Sequence, residues 1–358
     1  KQETQEKKAA EEKTYGDTNA PASITEKAQA AARNVVSIIN NFTTPLKVIL
    51  RDLKVDAGET TQNAVTVSGK GDVTLELEGK NELTGGSGDR GNQNRRANGI
   101  CVIEGIGQYG ESLPAGKLTI QGKEGSSLSA TGGSSTYDSD KLSLISGGEG
   151  ITANGGLDLV NATVTATGGF GGGDGISAND EVNIKNSKLT AKGGGQLHPG
   201  EDTSTGGGTG ISLFVKGKVV VGEGSEVIAI GGDDKTVKKS ASGGAALRFY
   251  WTGVGCGYEV QKGGKLTAIG GNAESESGDA EGGNALWGEY GGIVSAGETT
   301  LIGGNAKSST GKATGGDAIT GNSYYFERVT VKEGTFTAAG GKAENATDTA
   351  TNGNSVKI

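Results

Sequence analysis

Beyond about position 46 the apolar residues fall at every other place in short runs, and no segment there offers helical spacing. The clearest run is Leu266-Thr267-Ala268-Ile269-Gly270-Gly271. The same frame returns at Leu128-Ser129-Ala130-Thr131-Gly132-Gly133, Val164-Thr165-Ala166-Thr167-Gly168-Gly169, Leu189-Thr190-Ala191-Lys192-Gly193-Gly194 and Val227-Ile228-Ala229-Ile230-Gly231-Gly232, with later copies at Thr299 to Gly304 and Phe336 to Gly341. Two more apolar pieces accompany each copy in fixed order. One opens the unit, at Ile100, Ile151, Ile176, Ile211, Leu247, Leu286 and Ile319; the other alternates in its middle, as in Leu118-Thr119-Ile120, Leu157-Asp158-Leu159 and Val219-Val220-Val221. Alternation is the period of a strand with one buried and one wet face.

The shortest unit, from Ile151 to Ile176, spans 25 residues and still holds all three pieces. No crossover helix fits into it. Self-similarity at such a spacing marks a solenoid, and three short strands per turn predict an all-β, right-handed parallel β-helix of about eight or nine coils. Coils stacked at about 4.8 Å make a rod of roughly 40 Å. Between the second and third pieces stand Asn161, Asn186, Gly222, Gly224, Gly263, Gly264 and Gly334, residue types that accept a tight corner. Asparagines stacked there are placed to bond one another from coil to coil.

Three regions are expected. Residues 1–22, rich in Lys, Glu, Gln and Thr, read as a solvated tether. Over 23–44, Ile24, Ala28, Ala31, Ala32, Val35, Val36, Ile38 and Ile39 lie on one broad helical face, which predicts a capping helix for the exposed end of the solenoid. Residues 45–358 are the β-helix. After each Gly-Gly a polar insertion leaves the coil, at 87–97, 134–148, 170–173, 195–208, 233–244, 272–283, 305–316 and 342–353. All should depart from one corner, either as a binding face or as tolerated loops.

Composition narrows the function. The 68 glycines come with only four prolines and no strict triplet, which excludes collagen. A formal net charge of -8 without a basic stripe argues against nucleic acid. No run of about 18 apolar residues is present to span a membrane. The absence of methionine predicts that a leader has been removed. Cys101 and Cys256 fall some four coils apart, too far for a disulfide, so two separate buried thiols are expected.

Catalytic signatures are sparse. The one histidine, His198, sits in a polar insertion, so a histidine-based triad or zinc site is not assembled. Asp233-Asp234 superficially matches the paired acids of a glycosidase, without the companion motifs. The column just before each coil's opening dipeptide reads Asn98, Glu149, Asp174, Thr209, Ala245, Asn284, Asp317 and Asn354. Glu149 and Asp174, on neighbouring coils, are the candidate metal ligands, with calcium as the possible ion and no cofactor required. The alternative is that the column caps a turn by bonding backbone N–H groups.

Of the 16 aromatic residues, ten cluster in four successive late coils between the first and second strands or at that region's edges. Stacking sets them along one flank. Aromatic rows at strand spacing suit sugar rings, whose C–H faces lie on a π-system while neighbouring polar groups bond the hydroxyls. Trp251, Trp287, Tyr250, Tyr290, Tyr324 and Tyr325 are the candidate carbohydrate-binding residues; Phe249 and Tyr258 are the candidates for pointing inward.

The stretches Val73 to Gly86 and Gly264 to Gly271 resemble bacterial surface β-helix proteins described as carbohydrate-binding, similar in shape to polysaccharide lyases but generally without their catalytic groups. The resemblance covers about 45–358. It implies a secreted or cell-surface protein, with the N-terminal segment as a candidate tether, that binds a polysaccharide or other glycan without cleaving it, with calcium among its coils as a family trait. A structural or adhesive rod contacting a host or cell-surface protein is the alternative, and a polysaccharide lyase a further one.

Overall fold

The computed structural model describes residues 22–24, 35–87, 97–106, 112–135, 146–198, 206–214, 217–250, 257–288, 291–321, 326–346 and 349–355, and all regular structure among them is strand. Three long sheets form a right-handed parallel β-helix, each coil giving one strand to each sheet. The opening sheet runs through nine strands from Val36–Ile39 to Ile319–Gly321, the middle sheet through ten from Ala22–Ile24 to Phe326–Val331, and the closing sheet through nine from Lys54–Asp56 to Thr335–Ala339. Pairing is parallel and in register: Val65, Ile100, Ile151, Ile176, Ile211, Leu247, Leu286 and Ile319 stand one above another.

That column is buried throughout, as are the inward columns Leu118, Leu157, Val182, Val219, Tyr258 of the middle sheet and Leu128, Val164, Leu189, Val227, Leu266 of the closing sheet. Each such side chain withdrawn from water contributes about 1.5–3 kcal/mol, which opposes the entropy of ordering a glycine-rich chain. Phe249 and Tyr258 are inside the core, as the alternation of their strands requires. The phenol of Tyr258 has no hydrogen-bond partner, and burial raises its pKa well above the ordinary value. Cys101 is buried, while Cys256 lies outside the described residues.

The N-terminal expectation is corrected. Where a capping helix was expected over 23–44, the described residues form strands: Ala22–Ile24 pairs with the strand Leu46–Arg51, and Val36–Ile39 with Val65–Ser68. Val36, Ile38 and Ile39 are β-branched, stiff at χ1 and better suited to a pleated surface than to a helix. Residues 36–56 thus make a full coil whose first strand lies ahead of the expected domain start at 45. Residues 1–21, most of the expected tether, and 25–34 lie outside the described residues.

The insertions are also corrected, because four of them are not loops. With Gln196–His198 of the insertion before them, their outgoing halves Asp234–Thr236, Ala273–Ser275, Ala306–Ser308 and Ala343–Asn345 complete a five-stranded parallel sheet. Their returning halves form a four-stranded one, Ala241–Ser242, Ala280–Glu281, Ala313–Thr314 and Ala350–Thr351. Ala241, Ala273, Ala280, Ala306 and Ala313 fill the space between as a second small core.

Outgoing and returning chains meet in a neck of glycine. Gly232 N–H donates to Gly208 O (2.7 Å), Gly244 N–H to Gly232 O (2.8 Å), Gly271 N–H to Gly244 O (2.8 Å) and Gly283 N–H to Gly271 O (2.8 Å). A Cβ on Gly244 would lie 2.0 Å from Gly208 O, so the neck admits only glycine for want of space. At the other corner the reason is conformational: Asn161 and Asn186 adopt φ of 51° and 47°, and Asn186 Nδ2 donates to Asn161 Oδ1 at 2.8 Å.

Register stacking would set like charges side by side, and the outward columns avoid it by alternation. Lys265 pairs with Glu298 at 2.9 Å, Lys235 with Glu274 at 3.0 Å and Lys218 with Glu259 at 2.6 Å, each from one coil to the next. Surface pairs of this kind contribute about 0–1 kcal/mol each. Their larger effect is to disfavour a slipped register.

Candidate functional site

The site grows out of the outward positions of the opening sheet. Because side chains alternate, the residues between the buried pairs face out: Thr66, Cys101, Thr152, Ser177 and Ser212 in the earlier coils, then Arg248, Trp287 and Thr320. Small side chains give way to two large ones on adjacent coils. Phe214 and Tyr250 each follow the end of their strand by one residue and continue the same parity.

Four of these side chains meet. Phe214 and Tyr250 stack in parallel, ring centroids 4.6 Å apart and planes 3° from coincidence. Tyr250 and Trp287 are tilted by 58° with centroids 6.0 Å apart. The guanidinium carbon of Arg248 lies 4.2 Å from the Tyr250 centroid and 4.6 Å from that of Trp287. The three separations close a compact triangle, so the cation sits in the notch between two rings, an arrangement worth about 0.5–1 kcal/mol per ring at an exposed site. Its Nε is buried without a hydrogen-bond partner, and so is the hydroxyl of Ser212, which stands in register beneath it.

Beside the cluster runs an open groove of about 210 Å³. Arg248 and Trp287 form one wall, Ser242 and Glu281 of the returning insertion strands form the other, and Thr209, Ala245 and Asn284 lie along its floor. The groove lies where the glycine neck, here Gly243, Gly244, Gly282 and Gly283, joins the returning insertion strands to the opening sheet.

The floor belongs to the column read as a turn cap or a calcium site. In it, Asn98 N–H donates to Asn63 Oδ1 (2.8 Å), Glu149 N–H to Asn98 Oδ1 (2.9 Å), Thr209 N–H to Asp174 Oδ1 (2.7 Å), Asp317 N–H to Asn284 Oδ1 (2.8 Å) and Asn354 N–H to Asp317 Oδ1 (2.6 Å). Asp174 is therefore a rung that accepts from the next coil's backbone, and Glu149 is buried one coil below it. Among the described residues no group of three or more His, Cys, Asp or Glu comes together. The ladder lapses at Thr209 and Ala245, whose side chains carry no carboxylate or carboxamide. Neither the N–H of Ala245 nor that of Asn284 has a rung to donate to.

Of the six aromatic residues selected from sequence, Tyr250 and Trp287 are brought together, both half-buried, and Trp287 lines the groove. Trp251, Tyr290, Tyr324 and Tyr325 lie outside the described residues. Arg248 and Phe214 were not selected, although the signal was there: Arg248 shares strand parity with Trp287, and Phe214 falls where Tyr250 falls one coil later. No helix among the described residues is long and apolar enough to cross a membrane. Compared with known proteins, the chain matches no protein-family model, no curated protein and no solved structure.

Proposed function

We propose that the chain is a non-catalytic glycan-binding β-helix, secreted or displayed at a cell surface where polymeric glycans are found. The observation that carries this reading is the Phe214–Tyr250–Trp287 cluster, which reaches an open groove through Trp287. Tyr250 is held between Phe214 and the Arg248 guanidinium, so Phe214 and Trp287 are the rings that offer apolar faces to sugar C–H groups, while Ser242, Glu281 and Asn284 offer polar groups to hydroxyls. An open groove suits the side of a polymer, whose chain leaves at both ends. Titration against a glycan panel, with Trp287→Ala and Tyr250→Ala beside the native chain, tests the reading. Binding that weakens at least tenfold in both variants supports it; absent binding, or binding that neither variant changes, removes it. Release of unsaturated sugar products would replace it with a lyase.

A second reading, a structural or adhesive rod contacting a protein or a neighbouring copy, is favoured by the closing sheet's edge strand Thr335–Ala339. Its inward residues Phe336 and Ala338 are only half-buried, against full burial in the coils before.

A further inference from the structure

We infer that the floor and wall of the groove form an anion site, so that the glycan it takes is an acidic one bearing a carboxylate or sulfate. This rests on the glycan reading above and specifies its ligand class. Three observations converge on it. Arg248 lies over two rings, which attract the cation but accept no strong hydrogen bond, and its Nε is left without a partner. A guanidinium keeps its charge at any physiological pH and presents its donors in a planar fork that matches two oxygens of one acid group. In a chain of net charge -8, Arg248 forms no salt bridge with Glu281, the one acid that lines the groove with it. Elsewhere the outward columns pair cations with acids from one coil to the next, as Lys265 with Glu298 and Lys235 with Glu274.

The lapsed ladder supplies the second part. On five other coils the backbone N–H at this column, that of Asn98, Glu149, Thr209, Asp317 or Asn354, is met by an oxygen from the coil before, a carboxylate at Asp174 and Asp317 and a carboxamide at Asn63, Asn98 and Asn284. At Ala245 and Asn284, both on the groove floor, that oxygen is missing on two successive coils. The two N–H groups are about one strand spacing apart, roughly 4.8 Å, and Arg248 is three residues beyond Ala245 on the same strand path. An oxyanion from outside takes the place that a rung's oxygen holds in the other coils, with the guanidinium beside it. Glu281 on the opposite wall repels a second acid group and accepts from sugar hydroxyls, which orients the ligand's charge toward Arg248.

The ladder itself provides the test. Ala245→Asn adds the rung that other coils carry, an oxygen placed to accept from the Asn284 N–H, so it should preserve or raise the melting midpoint while taking one of the two N–H groups away from the anion and filling the space beside the other. Titration calorimetry of the full chain is run with an oligogalacturonate, its carboxyl-reduced neutral counterpart and a sulfated form of that neutral sugar. The native chain should bind at least one acidic sugar tenfold or more tightly than the neutral one, and the two acidic arms show which oxyanion fits. Ala245→Asn and Arg248→Gln should each remove that preference, and Arg248→Lys, which keeps charge without the fork, should retain part of it. Equal affinity for acidic and neutral sugars overturns the anion site and leaves the glycan reading standing. An acidic preference unchanged in both Ala245→Asn and Arg248→Gln also overturns it. If none of the three sugars binds, the anion site falls, and the wider panel with the Trp287 variant decides the glycan reading separately. Should Ala245→Asn fail to fold, the Arg248 variants decide.

Discussion

The coils before and after about residue 230 share one cross-section and differ in what hangs from the same neck. In the earlier half the insertions at 87–97, 134–148, 170–173 and 195–208 differ in length, and only Gln196–His198 among their described residues joins the insertion sheets. In the later half the insertions at 233–244, 272–283, 305–316 and 342–353 are each twelve residues long, and all four fold into two stacked strands. A parallel ladder demands that neighbours follow the same path, so equal length turns an excursion into a sheet. The groove forms in this later half, where, among the described residues, a returning sheet stands beside the opening sheet.

The strongest way to break the comparison is at the neck, which both halves use. Gly244→Val places a Cβ 2.0 Å from Gly208 O, where only backbone could give way. The expected loss is roughly 3–5 kcal/mol, read by denaturant unfolding. A loss below about 1 kcal/mol would mean that the neck yields and that its glycines are not required by space.

A smaller effect should separate the two cores. Ala313 is fully buried in the insertion core, and Ala313→Leu forces extra methylenes into a space bounded by Ala280, Ala306 and the strand above, costing about 1–3 kcal/mol. Hydrogen exchange should then quicken in 273–281 and 306–314 while the strand around Ile176 keeps its protection. Equal loss of protection at Ile176 would show that insertions and coils open as one unit, and the distinction between the halves would fail.

How much of this was legible beforehand depends on the direction in which the period runs. The coils were readable because Leu266 and Ala268 alternate within one strand, so burial shows along the chain. The insertion sheets were not, because Ala273-Glu274-Ser275 and Ala306-Lys307-Ser308 have the composition of a polar loop and repeat only from one coil to the next. The segment Val35 to Ile39 satisfied both a helical face and a strand, and pairing with Val65–Ser68 decided it. At the site, Tyr250 and Trp287 were visible as aromatics in a row. Arg248 was not visible as their partner, because its place depends on a register that only the stacking of Ser212, Arg248 and Trp287 reveals. The column from Asn98 to Asn354 was seen, but its lapse at Thr209 and Ala245 acquires meaning only beside Arg248.

The smallest expected effect sharpens a difference in charge. In the later half the outward pairs are mostly one lysine to one glutamate, whereas the first coils gather Lys47, Arg51 and Lys123 around Glu76 and Glu78. Hydrogen bonds from Arg51 and then Lys123 hold the Glu78 carboxyl at about 2, below its ordinary 4.5. A depressed folded-state pKa contributes stability that is fully present above the unfolded value and is lost as pH falls through the folded one. The native chain should therefore melt slightly above Glu78→Gln at neutral pH, with the two midpoints converging between pH 4.5 and about 2. Glu259, lowered mainly by Lys218 alone, should give a smaller convergence when changed to Gln. Parallel melting curves for native and Glu78→Gln across that range would show that the clustered charges stabilise the first coils no more than isolated surface pairs do.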